Sequence, residues 1–454
     1  MNNIRQKLQQ SALAVPEILL PGKVDLQKWA VIACDQFTQD REYWDKAASF
    51  TAGAPTTLNL IFPEVFLTGA DNTPRIAAIH KAMKTYLEQG VFGAPEKGFV
   101  YIERDTPYQK GRRGLVAAID LEQYDWKPDT QPLIRSTEGT VAERLPPRMD
   151  IRRGAALEVP HVLLLIDDET GSMLPALGER AKKNAPLYQT NLMMDSGCIS
   201  GWAFDAEEDL AFLAEKLEEL RLRSLNRYAA DKNAAGGNAE NSDAPFLFAV
   251  GDGNHSLAAA KGIWEEYKKS RSITGLPEHP CRYAMVEIEN LYDPAIQFEP
   301  IHRVVFGLGF DKTLSLLSRL PDFSSRPVSG RDELVRLCSE PFNGNRFGLV
   351  SAGRYALIET SAAGISTACL QPLLDGALAD AGGSSISIDY IHGEEELFRL
   401  AENAGRAAAG ILLPPVNKAG LFETVARSGP LPRKSFSMGN AAEKRFYLEC
   451  RRLF

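Results

Sequence analysis

Apolar residues follow two rhythms along this chain, continuous short runs and one-sided stripes, and each predicts a different element. The run Trp29-Ala-Val-Ile-Ala-Cys34 predicts a buried strand, and residues 38–48 predict a short helix with Thr38 as cap. Residues 74–90 read as a clearer helix. Pro74 opens it, Ile76, Ile79, His80, Met83 and Leu87 share one stripe, and Gly90 stops it. Strands follow at 98–103, 114–120 and 161–167. Lys110, Arg112 and Arg113 fall in a glycine-flanked turn and read as solvated. Leu210, Leu213, Leu217, Leu220 and Leu225 mark an amphipathic helix over 207–226. Residues 246–250, 283–289 and 301–306 predict further strands, and 256–269, 312–319, 394–408 and 421–428 predict helices. Residues 446–450 read as a closing strand.

Strands and helices interleave without a regular repeat, so the expected class is α+β, with mixed sheets and packed helices. Residues 229–244 (A-A-D-K-N-A-A-G-G-N-A-E-N-S-D-A) have almost no apolar bulk and read as a flexible loop. The expected organisation is an N-terminal α+β region over 1–228, that loop, a core over 245–310, and a C-terminal α+β region over 311–454.

Composition narrows the function classes. With 454 residues and 44% hydrophobic content, the chain can bury a large core without disulfides. The net charge of −8 argues against a whole-surface grip on nucleic acid. The aliphatic runs are too short to span a bilayer. Six cysteines form no C-x-x-C pair, and the N-terminal stretch is broken by Pro16 and Glu17. A reduced cytoplasmic protein with buried thiols is expected.

One segment concentrates chemistry: Phe246-Leu-Phe-Ala-Val-Gly251-Asp252-Gly253-Asn254-His255-Ser256, followed by an Ala-rich helix containing Lys261. Gly251 and Gly253 let the backbone turn sharply and approach a ligand. The helix start offers amides to a phosphate or carboxylate, with Asn254 and Ser256 in that turn. Asp252 could hold Mg²⁺, and His255 could donate a hydrogen bond or move a proton. The same residues also suit a capped helix after a tight turn. A Walker loop, a two-metal phosphoesterase and an H-E-x-x-H zinc protease all lack their spacing here.

Other candidates are dispersed. His302 and Arg303 lie in Glu299-Pro-Ile-His-Arg303, where Arg303 could clamp an anion. Lys434 follows Arg433 after a proline, and His392 stands in Asp389-Tyr-Ile-His-Gly393. Arg144, Arg148 and Arg152 repeat at i, i+4, i+8. On a helix they would form a solvated basic face or an anion-binding edge, although Pro146 and Pro147 oppose that helix. Cys34 precedes Asp35 with no identifiable base, so it is not read as a nucleophile.

At these residues the chain resembles the bacterial and archaeal domain-of-unknown-function 1015 family. The family's D-G-H-H-R matches Asp252-Gly253-Asn254-His255-Ser256, and its P-T-H-R matches Pro300-Ile301-His302-Arg303. Its P-x-K-S/T matches Pro432-Arg433-Lys434-Ser435. Its H-E-R-T and D-R match Thr137-Glu138-Gly139-Thr140 and Glu143-Arg144, and its N-terminal block resembles Cys34-Asp35-Gln36 through Tyr43. Asn254, Ser256 and Gly139 depart from it, removing a His and two Arg. The D-G-x-H turn also resembles the nucleotide-binding turn of the ParB and sulfiredoxin-like fold, some of whose members are small-molecule kinases.

That second resemblance implies phosphotransfer with ATP or ADP and Mg²⁺. In that reading Asp252 holds the metal, His255 donates to the transferring group, Glu138 is the general base, and Gly251, Gly253, Asn254, Ser256 and Lys261 hold the nucleotide. His302, Arg303, Arg144 and Lys434 then bind a small-molecule acceptor. The alternative is a non-catalytic metabolite sensor or partner-binding protein using the same pocket.

Overall fold

The computed structural model describes residues 2–67, 71–128, 130–228, 245–270, 279–362, 364–381, 386–403 and 407–454. The loop expected at 229–244 lies outside the described residues. The chain forms two compact units, one of residues 1–296 with 440–454 and the other of residues 297–439. The class is α+β, as the interleaved pattern predicts. The boundary between the units falls at 296/297, and the Phe298–Phe306 strand pairs with strands of the second unit.

The first unit is built on a mixed sheet. Its order among the described residues is Tyr188–Asn191, Cys198–Phe204, Phe99–Asp105, Arg112–Asp120, Tyr283–Asn290, Leu163–Ile166, Phe248–Asp252, Ile134–Ser136, Tyr124–Asp125. Leu163–Ile166 is buried at every position, because it sits mid-sheet between a parallel and an antiparallel neighbour and is covered on both faces. The Phe248–Asp252 strand runs parallel to Ile134–Ser136, with Val250 opposite Ser136.

Local chemistry explains several boundaries. The helix Arg41–Thr51 starts three residues later than expected, because Asp40 caps it by accepting the Tyr43 amide. Leu145–Arg152 is helical despite Pro146 and Pro147, which occupy its first turn, where proline has no intrahelical bond to lose. Its arginines are neither a solvated face nor an open anion edge. Arg148 pairs with Glu64, and Arg152 lies 2.6 Å from Glu158; Arg144 is exposed. The helix Glu394–Asn403 is shorter than its expected span, and a strand, Ala408–Leu412, begins at 408.

The C-terminal segment returns to the first unit. Phe446–Tyr447 pairs with Val31–Ile32, and Arg451–Arg452 pairs with Leu157–Glu158. Buried Arg104 donates to the carbonyls of Ala442, Glu443 and Lys444, and Arg112 donates to Glu443 at 2.7 Å. Arg112 is therefore an interior clamp rather than a solvated turn residue. Its Nε lies 2.9 Å from Glu289 Oε1, too poorly aligned for a hydrogen bond. Burial, together with nearby Glu287, pushes Glu289 up to about 8.

The second unit carries an antiparallel sheet ordered Ser324–Pro327, Arg354–Thr360, Asn345–Ser351, Ala408–Leu412, Phe298–Phe306, Ser387–His392. Consecutive residues feed opposite cores. Val305, Leu349, Ile358 and Ile411 pack on one face, and Val304, Val350, Leu357 and Leu412 on the other. His302 and Arg303 sit inside this sheet. Arg303 donates to Gln371, to the carbonyl of Ile301 and to that of Lys434, and it stacks 4.5 Å from the Tyr390 ring centroid. His302 Nδ1 accepts the Leu413 amide at 3.1 Å.

Two stability predictions follow from these positions. Gly197 has φ +87°, and a Cβ there would overlap the Asp105 carbonyl oxygen. Gly197→Ala should destabilise the first unit by about 2–3 kcal/mol; an unchanged thermal midpoint contradicts this. Burial, with help from Arg303 and His392, pushes His302 down to about 4. The unfolded chain binds that proton near pH 6.5 while the folded unit refuses it, so stability falls as pH drops from about 6.5 toward 4, by on the order of 3 kcal/mol. Hydrogen exchange across Ala408–Leu412, corrected for intrinsic rates, should show this loss. His302→Asn, which keeps an acceptor for Leu413, should flatten it; identical pH slopes for both proteins contradict the assignment.

Candidate functional site

The site forms where the Phe248–Asp252 strand passes into the Asn254–Ser270 helix. Gly253 makes the turn with φ +80°, and a Cβ there would press on Val162 at 3.1 Å, so both conformation and space require glycine. Leu257 makes the first intrahelical bond, to the Gly253 carbonyl at 3.0 Å. By helix geometry the amides of Asn254, His255 and Ser256 precede that ladder. Thr137 donates to the Val250 carbonyl at 2.5 Å, so Glu138 leaves the sheet at the same carboxyl edge as Asp252. The turn thus lies at the carboxyl ends of two parallel strands, where open α/β sheets place ligands.

Asp252 is tied on both oxygens. Oδ1 accepts the Gly253 amide at 3.0 Å, and Oδ2 lies 3.1 Å from Lys444 Nζ. Lys444 is nearly buried, positioned by the arginine clamp on its backbone. This donor set does not form a magnesium site, because an ammonium already occupies the cation position beside the carboxylate. No group of three or more His, Cys, Asp or Glu placed to hold a metal occurs among the described residues. Asn254 Oδ1 is buried without a partner in the same turn.

His255 Nε2 accepts the Val141 amide at 3.2 Å and so anchors the loop that carries Glu138. A second histidine completes the site. His161 Nε2 lies 3.0 Å from Ser256 Oγ and 3.6 Å from Asp35 Oδ2, and Nδ1 lies 2.9 Å from the Tyr447 hydroxyl. Tyr447 already accepts the Cys34 amide at 3.1 Å. His161 Nδ1 thus faces the Tyr447 hydroxyl, and Nε2 faces Ser256 and Asp35. Burial works against the charge of Asp35, but His161, the Gln36 amide and Lys444 outweigh it and hold the carboxyl below its usual range. Burial, then Asp35, pushes the Cys34 thiol far above its usual range, so it is not an activated nucleophile.

The other sequence candidates are placed as follows. Lys261, two turns into the helix, donates to the Leu121 carbonyl at 2.8 Å and pairs with Glu265 at 3.1 Å. Arg144 is exposed at the start of the Leu145–Arg152 helix, where its carbonyl accepts Arg148. His302, Arg303 and Lys434 belong to the second unit; His302 and Arg303 are buried and hold its interior, whereas Lys434 is exposed and offers Arg303 only its carbonyl. Asp252, Gly253, Asn254, His255, Ser256 and the Glu138 loop come together. Asp35, His161, Lys444 and Tyr447 join them although sequence reasoning passed over them. Their shared signal is position, since Asp35 ends one apolar run and His161 begins another.

A cavity of about 130 Å³ opens beside Ser256, His161 and Tyr447. No helix among the described residues is long and apolar enough to cross a membrane.

No curated protein matches this sequence. Similar solved structures include a conserved hypothetical protein from Pyrococcus furiosus, at 12% identity over 73% of this chain and 90% of that one, with TM-score 0.32. Free serine kinase in complex with AMP shows 11% identity over 77% and 95%, with TM-score 0.37. SbnI with C-terminal truncation from Staphylococcus aureus shows 9% identity over 74% and 87%, with TM-score 0.37. At these TM-scores the likenesses carry no argument about activity. The profile of the family described as "Protein of unknown function (DUF1015)" matches residues 20–377, the blocks around Asp35, Glu138, Asp252 and His302 fall inside that span, and the chain belongs to this family.

Proposed function

We propose that this chain binds a phosphorylated small molecule, ATP or ADP being the first candidates, at the start of the Asn254–Ser270 helix, and transfers a phosphoryl group to a small acceptor. The observation that carries the reading is the convergence on one turn of a helix start, the buried Lys444 ammonium and the ionised Asp35 carboxylate. Amides at a helix start favour negative charge, and a buried cation beside them strengthens that preference. The buried Asn254 Oδ1 is an acceptor without a partner, which a hydroxyl or amino group of the ligand, rather than a phosphoryl oxygen, would satisfy.

In this reading the helix amides and Lys444 hold the phosphoryl oxygens, with electrostatic stabilisation supplying most of the rate. The acceptor oxygen bonds to phosphorus as the bond to the leaving oxygen breaks, and the acceptor's proton passes to Asp35. Glu138, on the loop anchored by His255, is the second candidate base. Lys261 is outside this machinery. The paired state of Asp252, Lys444 and Lys261 favours a second reading, a sensor that binds the same ligand without turnover.

Calorimetric titration with ATP, ADP and inorganic phosphate should show saturable binding, and Lys444→Met should weaken it at least about tenfold, the loss of one charge-assisted contact. Absence of binding by the wild-type protein ends the proposal. Asp35→Asn should lower phosphoryl-transfer turnover by about 10²–10⁴ while ligand affinity stays within about threefold. Unchanged turnover removes Asp35 as base, and binding without turnover to any acceptor selects the sensor.

A further inference from the structure

We propose that the cavity beside Ser256 receives the aliphatic body of a compact hydroxyl compound. The inference rests on the acceptor reading above and narrows its substrate class. The cavity, open on one side, has a volume of about 130 Å³. Sites for cofactor-sized ligands start near ~300 Å³, whereas a cavity of ~150 Å³ suffices for a benzene-sized guest. The space therefore suits a guest of roughly six heavy atoms, the smaller of two reactants.

The walls define the chemistry. Leu60, Phe62, Met83, Ala260 and Met285 line the cavity, each at most 3% exposed. One end is polar, where His161 stands with Ser256 Oγ on its Nε2 and the Tyr447 hydroxyl on its Nδ1. Arg148 and Arg152 also line it, but each is already paired, with Glu64 and Glu158. A carboxylate or zwitterion entering here would lose its hydration among mostly apolar walls. A hydroxyl can accept from one neighbour and donate to another, and so satisfies the polar end at no net charge. An aliphatic body gains from every methylene buried against the apolar walls. The hydroxyl end of such a guest lies on the Asp35 side of His161, the side on which the proposed base stands.

The test uses the full-length protein and an alcohol series of ethanol, 1-butanol, 3-methyl-1-butanol and 1-octanol, followed by ligand-observed NMR. Affinity should tighten about fourfold per added methylene up to roughly five carbons and then fall at 1-octanol. The matched carboxylate, 3-methylbutanoate, should bind at least about tenfold more weakly than 3-methyl-1-butanol, since its charge must be desolvated. Ala260→Val should weaken the branched alcohol, and Ala260→Phe should abolish its binding, with retained ADP affinity confirming that the site is folded. A flat chain-length series, tighter binding of the carboxylate, or alcohol affinity indifferent to both substitutions overturns the proposal. If the chain-length series holds while ADP fails to bind, the guest class stands and the phosphoryl reading falls; the reverse result removes only the guest class.

Discussion

The arrangement depends on one contact, the ion pair between Asp252 and Lys444. Its partners are separated by almost two hundred residues, and Lys444 reaches Asp252 only because the C-terminal segment re-enters the first unit. A buried ammonium is costly unless paired, so this position is tolerable only with the carboxylate in place. The carboxylate in turn faces its own turn amide as well as the lysine. Arg104 and Arg112 fix the lysine's backbone through the carbonyls of residues 442–444. The same segment delivers the Tyr447 hydroxyl to His161 Nδ1.

Two consequences follow for the chemistry. The ammonium stands beside the carboxylate where a divalent cation was expected, so in the proposed reading the positive charge offered to a phosphoryl group belongs to the chain itself. His161 Nε2 faces Ser256 and Asp35, and His161, the Gln36 amide and Lys444 together hold the Asp35 carboxyl below its usual range. In the proposed reading, anion binding and proton removal fall to different residues around one helix start.

The local parts of this picture were legible in the sequence. The Gly251-Asp252-Gly253-Asn254-His255-Ser256 turn, the strand before it and the helix after it follow from glycine placement and apolar rhythm. The class followed from irregular interleaving of elements. What was not legible is long-range. Arg112 looked like a solvated turn residue, yet it lies inside because the segment at 442–444 brings carbonyls to it. Arg148 and Arg152 looked like a basic face, yet each meets a glutamate that no spacing rule connects to it. His302 and Arg303 looked like ligand residues because they are polar at the start of an apolar strand. They serve the interior of the second unit, where Leu413, Gln371 and Lys434 satisfy them. Pro146 and Pro147 misled for a different reason, since proline opposes a helix interior but not its first turn.

The central claim is that the start of the Asn254–Ser270 helix, with Lys444 beside it, is an anion site. Backbone amide shifts in a ¹⁵N-labelled sample titrated with ADP test this most directly. The account predicts that the largest perturbations fall on Asn254, His255 and Ser256, with Lys444 moving in step at the same ligand concentration. Saturable perturbations confined to other elements, with those four residues unmoved, would contradict it.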